Sequence, residues 1–241
     1  MAKEVILSAK KIKKRKKLLT VTKTAITILI VLLTFIFAVL NVAFGANKFT
    51  VTLSRDLETN KGIIIYEHEN DGVNQRILYA DPNEKMSDMT LEWLPQDIHS
   101  GSTGGSHNAK NYIAYTFYVE NQGEQPVSYW YQINLKDVIK DVDEAVRVVV
   151  YLNDNERLVY AKKSKTGEAE PGTIPFYNED KNILVLKERE NFKVKDIDKF
   201  TIVIFLEGND PECVNNIIGG ELKMAMNITE EYVDWENYEK K

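Results

Sequence analysis

The chain contains three histidines, and their spacing along the sequence shows whether they could bind a metal together. A zinc peptidase places two histidines one helical turn apart, with a glutamate directly after the first, so that both imidazoles reach one metal and the carboxylate activates water. Here His68 precedes Glu69, but the Asn-Asp-Gly turn that follows contains no second histidine. His99 and His107 lie eight residues apart in a Gly-rich and Ser-rich segment. The sequence therefore predicts no catalytic residue, no metal ligand and no cofactor.

Other catalytic patterns are incomplete as well. GSTGGS at positions 101–106 has the glycines of a phosphate-binding loop, but the Lys and Ser or Thr that must follow are missing. A nucleophilic Ser128 or Cys213 needs a base beside it, and the sequence assigns no histidine to either. Cys213 is the single cysteine, so an intrachain disulfide is excluded and a small, partly buried structural residue is the favoured interpretation. We therefore predict a non-enzymatic protein.

Three acid-rich turns offer oxygen atoms to a calcium ion. They are Asp141–Glu144, Asn153–Glu156 and Asp196–Asp198. None has the twelve-residue spacing, central glycine and terminal glutamate of an EF-hand loop. Because charge runs of this kind are usually solvated, we interpret them as surface turns and leave calcium binding open.

Three consecutive aromatic residues, Tyr129, Trp130 and Tyr131, belong to a predicted strand. Successive side chains of a strand point to opposite faces, so Trp130 faces away from both tyrosines. An exposed Trp130 would stack against a sugar or anchor a protein partner. The alternative is that the sheets and a loop cover all three rings. The partner, an extracellular protein or a glycan, is not identified by this pattern.

Alternation of apolar and polar residues dominates the chain from Phe49 onward, and such alternation indicates strands with one buried face. The predicted strands are Phe49–Ser54, Gly62–Glu67, Arg76–Ala80, Tyr112–Glu120, Ser128–Leu135, Ala145–Leu152, Arg157–Ala161, Ile183–Lys187, Phe200–Glu207 and Glu221–Thr229. Turn clusters separate them. Many short strands with almost no helix between them predict two antiparallel sheets packed face to face, an all-β sandwich of jelly-roll or immunoglobulin-like type.

Two of these strands carry the clearest candidate core rows. The rows are Ile113, Tyr115, Phe117, Val119, Val146, Val148, Val150 and Leu152. The opposite faces carry Thr116, Tyr118, Glu120, Arg147 and Tyr151. We expect the first set to fill the space between the sheets and the second set to face outward, because a register slip of one residue would bury charge.

One short helix is predicted, over Pro211–Ile218, because Asp210 can cap it and the proline that follows suits the first helical position. The segment His99–Lys110 is rich in Gly and Ser and has no core-forming residue, which predicts an exposed and mobile loop. The acidic and aromatic tail, residues 230–241, is either a frayed terminus or a docking segment, and we favour fraying beyond Trp235.

These elements follow an unbroken apolar stretch, Ala25–Phe44. At about 1.5 Å per residue, a helix of this length spans roughly 30 Å, which is the thickness of the hydrocarbon core of a bilayer. Residues 1–24 contain nine Lys or Arg residues and one acid, Glu4, and this composition indicates a cytoplasmic leader near anionic lipid headgroups. The sequence therefore predicts a single-pass cell-membrane protein with its main domain, residues 45–229, outside the cell.

A signal peptide has the same basic and apolar order, so retention of the apolar stretch is a separate question. A cleavable signal has an apolar region of about 7–15 residues, which favours a retained signal anchor here. Ala43 and Gly45 are nevertheless small residues at the two positions that a signal peptidase recognises. Cleavage near Gly45 would release a domain whose first strand, Phe49–Ser54, is free to join the sheet of a neighbour.

Charge restricts the partners of the outer domain. Without residues 1–44 the chain keeps 22 basic and 35 acidic residues, a net charge of −13. Nucleic acid and anionic membrane surfaces repel such a domain, so no nucleic-acid partner is expected. The remaining 197 residues suffice for one hydrophobic core that needs no disulfide.

Two longer stretches resemble a known family. They are FYVENQGEQPVSYWYQI at Phe117–Ile133 and FLEGNDPECVNNIIGGELKMAMNI at Phe205–Ile228. Both are similar to the TasA and camelysin family of surface proteins of Gram-positive bacteria. The resemblance implies a jelly-roll-like β-sandwich that is exported behind a hydrophobic N-terminal signal and associated with matrix fibres. Some members have been labelled metallopeptidases, a role that the histidine spacing of this chain does not support.

We interpret the chain as a non-enzymatic, membrane-anchored cell-surface protein that presents an acidic β-sandwich for extracellular interactions. Its predicted partners are the lipid bilayer, through residues 25–44, and an unidentified extracellular protein or glycan. The second interpretation is a secreted matrix or fibre subunit released by cleavage near Gly45. A metallopeptidase ranks third.

Overall fold

The computed structural model describes residues 2–44, 48–68, 75–83, 85–101, 104–155 and 157–231. The chain forms two compact units, Met1–Gly45 and Ala46–Lys241. Within the first unit, side chains are described at position 14 and over positions 16–36.

The first unit is one long helix, α1 (Ala2–Phe44). Its segment Lys16–Ile36 is long and apolar enough to cross a membrane, with a mean hydropathy of 2.2, and its described side chains are exposed. The hydroxyl of Thr27 donates to the carbonyl oxygen of Lys23 at 3.0 Å, so the helix itself satisfies this polar group, as a lipid environment requires. The predicted N-terminal apolar helix is confirmed; residues 37–44 lie outside those whose side chains are described.

The second unit is a β-sandwich, and its described part contains twelve strands. Their bounds are β1 Lys48–Leu53, β2 Ile63–Tyr66, β3 Ile77–Tyr79, β4 Gly105–Ser106, β5 Tyr112–Asn121, β6 Val127–Ile139, β7 Val146–Leu152, β8 Leu158–Ala161, β9 Ile174–Pro175, β10 Ile183–Phe192, β11 Ile197–Leu206 and β12 Glu221–Thr229. One sheet has the order β10-β6-β12-β1-β3, and the other has the order β2-β5-β11-β7-β8-β9 with β4 paired to β5. The predicted sandwich is confirmed with all ten predicted strands, and β4 and β9 are additional.

Both sheets are mixed, whereas the sequence predicted purely antiparallel sheets. β1 pairs in parallel with β12, and β8 pairs in parallel with β9, while the remaining strand pairs are antiparallel. β1 also pairs with β3, so neighbours hold it on both sides. Its inward residues Phe49, Val51 and Leu53 are at most 1% exposed. The first strand of the domain is therefore an interior strand of its own sheet.

The predicted core rows of β5 and β7 belong to the main hydrophobic core, as expected. Seven of the eight residues of these rows are buried in it, and the eighth, Leu152, is partly buried and packs against it. The rings of Phe117 on β5 and Phe200 on β11 stack with their centroids 5.2 Å apart. Alternation was a reliable signal here because neighbouring strands place their inward side chains in register.

Most of the opposite face of β5 and β7 is also buried, which corrects the expectation that it faces outward into solvent; Glu120 alone of the five expected residues is partly exposed. Tyr151 belongs to a second hydrophobic cluster with Val149, Val203 and Phe205. Met89 and Leu94, from the segment between β3 and β4, also belong to this cluster. The backbone N–H of Met89 donates to the carbonyl oxygen of Leu206 at 2.9 Å, so this segment is bonded to the end of β11. A covering segment therefore hides a face that the sequence presents as half polar.

In the described part of the domain, the short α-helix lies elsewhere than predicted. α2 (Arg55–Lys61) follows β1; the hydroxyl of Ser54 accepts from the N–H of Leu57 at its start, and Gly62 ends it with φ of 71°. The predicted helix over Pro211–Ile218 was wrong, because only Asn215–Ile217 forms a single 3₁₀ turn. The expected cap, Asp210, instead makes a buried ion pair, described below.

The Gly-rich segment His99–Lys110 is more ordered in its described part than the composition predicts. Gly105–Ser106 forms β4, and Gly104 and Gly105 are buried. A β-carbon at Gly104 would overlap the backbone oxygen of Glu67, so the glycine is needed for this close approach. Lys199 Nζ donates to the carbonyl oxygen of His99 at 2.6 Å. Residues 102 and 103 lie outside the described range.

Candidate functional site

Two loops meet beside one residue of the seven-stranded sheet. They are the loop between β8 and β9, residues 162–173, and the loop between β11 and β12, residues 207–220. Arg147 is the second residue of β7, and its register partners are Ala161 at the end of β8 and Phe205 near the end of β11. Both loops leave the sheet next to this arginine, and each contributes acids to it.

The arginine binds an acid from each loop. Arg147 Nη2 donates to Asp210 Oδ2 at 2.6 Å and lies 3.6 Å from Glu170 Oε2. The side chains of Arg147, Glu170 and Asp210 are 4%, 7% and 0% exposed. Asp210 Oδ1 also accepts from the backbone N–H of Glu212 at 2.8 Å, which turns the loop and brings the Glu212 side chain to the same place. We call Glu170, Asp210 and Glu212 the acidic cluster.

The acidic cluster contains more negative charge than the arginine balances. One ligand oxygen from each of its three carboxylates lies within 4.8 Å of the other two. Burial, followed by the charge of Asp210, raises the pKa of the Glu170 carboxyl above its usual range, although Arg147 opposes the shift. Among the described residues, Glu212 Oε2 is shielded from solvent without a hydrogen-bond partner. Convergent carboxylate oxygens of this kind suit a hard cation.

Cys213, next to the acidic cluster, is poorly suited to act as a nucleophile. Cys213 adjoins the acidic cluster, and burial, followed by the charges of Asp88 and Asp210, raises the pKa of its thiol. A protonated thiol is a poor nucleophile, and no α-helix begins here to lower the pKa. Cys213 is half-buried, in line with the structural role that the sequence favoured.

A cleft of about 530 Å³ has Cys213 in its lining. Its lining includes Lys85, Asp88, Val214, Ile217 and Ile218. Val214 and Ile218 are 49% and 67% exposed. The cleft and the acidic cluster thus share the loop of residues 207–220.

The histidines lie apart from the acidic cluster. The ring of His99 stacks on Tyr151 with centroids 4.3 Å apart. His107 Nε2 lies 2.9 Å from Thr116 Oγ1, and burial, followed by the charge of Lys199, lowers the pKa of the His107 ring. In the described part of the chain, none of the three histidines, His68 included, joins two other metal-ligating side chains. Glu69 lies outside the described residues.

The other predicted site residues are placed as follows. Trp130 points away from the core while Tyr129 and Tyr131 are buried in it, as the strand period predicted, and Trp130 is half-buried on the outer face of β6. Ala43 lies in the last turn of α1. Gly45 lies outside the described residues, as do residues 232–241 of the predicted tail.

Within the acid-rich turn Asp196–Asp198, the last acid is buried, so its interpretation as a solvated residue was wrong, whereas the Asp196 side chain is 39% exposed. Asp198, the second residue of β11, is 1% exposed. Its Oδ2 accepts from the Tyr129 hydroxyl at 2.6 Å and from Arg189 Nε at 2.9 Å, and its Oδ1 accepts from Asn153 Nδ2 at 2.6 Å. Burial, followed by the charge of Asp198, raises the pKa of Tyr129 well above its usual range, so the hydroxyl stays protonated and donates.

The sequence did not identify the acidic cluster, although it contained one signal. The run VRVVVYL of β7 is apolar at nearly every position, which is typical of a strand that is buried on both faces. A buried arginine within such a run requires an acidic partner from elsewhere in the chain. That signal points to a buried ion pair at Arg147, but it does not identify the acid, because Asp210 is 63 residues away.

No protein-family model matches the chain, and no curated protein matches it. Two solved structures of a β-glucosidase from Kluyveromyces marxianus, one of them in complex with glucose, are weakly similar. Their TM-scores are 0.28 and 0.26, with 11% and 12% sequence identity over 74% of this chain. The chain spans less than a fifth of the length of those glucosidase chains, 18% and 17%. Similarity at this level carries no argument about activity.

Proposed function

We propose that this chain is a non-enzymatic, single-pass membrane protein that presents an acidic β-sandwich for interactions outside the cell. The observation that carries the proposal is α1, whose segment Lys16–Ile36 is apolar with exposed side chains. Nine basic residues precede or enter this apolar helix, and one acid accompanies them. This asymmetry favours a cytoplasmic N-terminus, with anionic headgroups attracting the leader.

A secreted matrix or fibre subunit is the second candidate, and the position of β1 limits how it would assemble. β1 pairs with β12 and β3 and has its inward side chains in the core. A copy released near Gly45 would still hold this strand in its own sheet. Joining the sheet of a neighbour would therefore require β1 to leave two partners and expose Phe49, Val51 and Leu53. A metallopeptidase remains third, without a histidine pair to support it.

Topology is tested with a protease-cleavage sequence inserted at Gly167. This residue lies in an exposed turn with no atom near its missing β-carbon, so an insertion there should not disturb the fold. Added protease should cut the inserted sequence in intact cells if the domain is outside. The same sequence placed before Lys10 is the matched control and should be cut only after lysis. Protection at Gly167 in intact cells contradicts the proposal.

Retention of the anchor is tested by the mass of the protein in the membrane and medium fractions. The proposal expects the full-length chain of 27.7 kDa in the membrane and none in the medium. Release of a shorter product that Ala43→Leu abolishes would support the secreted candidate, because a larger side chain at that position blocks signal peptidase.

A further inference from the structure

We propose that the C-terminal segment, residues 232–241, folds back over the outer face of the five-stranded sheet and covers the outward side chains of β6 and β12. This intramolecular contact goes beyond the proposed surface function, because it concerns how one face of the sandwich is closed and not where the sandwich lies. The segment itself lies outside the described residues. The observations that support its placement belong to the sheet face and to the end of β12.

The outer face of the five-stranded sheet is polar but buried along β6 and β12. The inward side chains of these strands belong to the main core, so the residues between them point outward. On the edge strand β3, the outward residues Ile77 and Tyr79 are 42% and 64% exposed. A face open to water would leave the outward residues of β6 and β12 accessible as well. They are instead 4–7% exposed, namely Gln132, Asn134, Ala225, Asn227 and Thr229.

The buried amides of this face need hydrogen-bond acceptors. Gln132 Nε2 donates to Asn134 Oδ1 at 2.7 Å, and Asn227 is the register partner of Gln132 on the neighbouring strand. Among the described residues, Asn134 Nδ2 and Asn227 Nδ2 are shielded from solvent and have no hydrogen-bond partner. A buried donor without an acceptor is costly. A segment that lies over β6 and β12 offers its backbone carbonyl oxygens to these two amides.

The chain leaves β12 in the direction of this face. Thr229, the last residue of β12, is the register partner of Trp130, and both side chains point outward. The Thr229 hydroxyl donates to the carbonyl oxygen of Glu231 at 2.8 Å. An outward side chain therefore holds the backbone two residues further on, which turns the chain over the outer face at its last described residue.

The length and composition of the segment fit the face. Ten extended residues span roughly 33 Å, and the nine residues of β12 span roughly 30 Å, so the segment can run the length of the strand. At the other end of β12, Lys223 and Lys48 are register partners, and these adjacent like charges favour an acidic neighbour. The segment has three acids against two lysines, and it has three aromatic rings that can bury apolar area. These acids and rings are Asp234, Glu236, Glu239, Tyr232, Trp235 and Tyr238.

The test is hydrogen exchange of the full chain in non-ionic detergent, followed by mass spectrometry of the peptides that cover residues 232–241. In the docked segment, the backbone amides should exchange at least about tenfold more slowly than in a synthetic peptide of the same sequence. Ala225→Glu places a carboxylate beneath an acidic segment, so exchange should rise to the rate of the free peptide. Tyr79→Glu is the matched control and should leave exchange unchanged, since Tyr79 is an exposed outward residue of the same sheet.

Trp235→Ala is a second variant should Ala225→Glu fail to fold, because residue 235 follows the last strand of the sandwich. It should also speed exchange of residues 232–241, since it removes the largest ring of the segment. Four results overturn the proposal. They are exchange at the free-peptide rate in the unmodified chain, unchanged exchange in the folded variants, an equal rise in the Tyr79→Glu control, and protection that is lost on about tenfold dilution of the protein. The last would show that the segment covers a second copy.

Discussion

Asp198 and the acidic cluster are both buried in the same sandwich, but their charges are balanced differently. Asp198 accepts from a hydroxyl, an amide and a guanidinium, so donors use both of its oxygens. In the acidic cluster, three carboxylates share the one guanidinium of Arg147, and one oxygen has no partner among the described residues. Burial is similar, with Asp198 1% and Glu170 7% exposed.

The difference separates an acid whose two oxygens both have protein donors from a group of acids with too few donors. A buried carboxylate surrounded by protein donors holds the strands that provide those donors, and it has no oxygen left for a ligand. A buried carboxylate with too few donors destabilises the fold unless a cation or a proton arrives. Loss of the acid should therefore lower the free energy of unfolding at Asp198 and raise it at Glu170.

The largest effect is expected at Asp198. Replacement by Ala leaves Arg189, the Tyr129 hydroxyl and the Asn153 amide without their shared acceptor. We expect the free energy of unfolding to fall by about 3–5 kcal/mol, measured by urea unfolding of the full chain in detergent. Asp198→Asn keeps the shape and one acceptor oxygen, so it should lose less. A loss below about 1 kcal/mol for Ala would show that these bonds do not hold the fold.

Arg147→Leu should have the next largest effect. Among the described residues, it removes the one cation that contacts Asp210 and Glu170 and leaves their charges buried. We expect a loss of about 2–4 kcal/mol in unfolding free energy in chelator. A loss below about 1 kcal/mol would show that the guanidinium does not hold these two carboxylates.

The strands could be predicted because alternation is a local property. The rows from Ile113 to Val119 and from Val146 to Leu152 identify their buried faces within eight residues of sequence. The second buried face could not be predicted in the same way, because the segment that covers Tyr151 comes from residues 89–98, far from β7 in sequence. α2 was missed because its seven residues include only one apolar side chain, Leu57, which gives no helical period.

The acidic cluster was missed for a related reason. Asp210 has the sequence context of a helix cap, with Pro211 directly after it. In the fold, the ion pair with Arg147 determines the conformation, since an eight-residue helix is marginal on its own. The partners Arg147 and Glu170 lie on other elements, and only tertiary structure brings them together.

Glu170→Gln should raise the free energy of unfolding in chelator, whereas the Asp198 variants should lower it. Glutamine keeps the volume, removes a charge that lacks donors, and can donate to a neighbouring carboxylate. We expect a gain of about 1 kcal/mol at neutral pH, measured by urea unfolding in chelator.

The pH dependence of that gain gives an independent check. The pKa of Glu170 in the folded chain lies above the ordinary value of 4.5. Between 4.5 and that raised pKa, Glu170 is therefore protonated in the folded chain but ionised in the unfolded chain. The destabilisation by Glu170 is therefore complete above its folded-state pKa, and it fades as the pH falls toward 4.5. The advantage of Glu170→Gln should shrink over the same range. A gain that is constant with pH would indicate a packing effect.

The smallest effect is expected at a third acid group, which is closer to solvent than the other two. Lys162 Nζ donates to Asp143 Oδ2 and to Glu144 Oε1, each at 2.7 Å, and the three side chains are 26%, 11% and 18% exposed. Lys162→Met should cost about 0.5–1 kcal/mol, because solvent screens partly exposed pairs. High salt should reduce that cost, whereas the cost of Asp198→Ala should persist, because buried charges are screened much less. If the loss of stability in Lys162→Met does not change with salt, the ion pairs of Lys162 behave as buried ones.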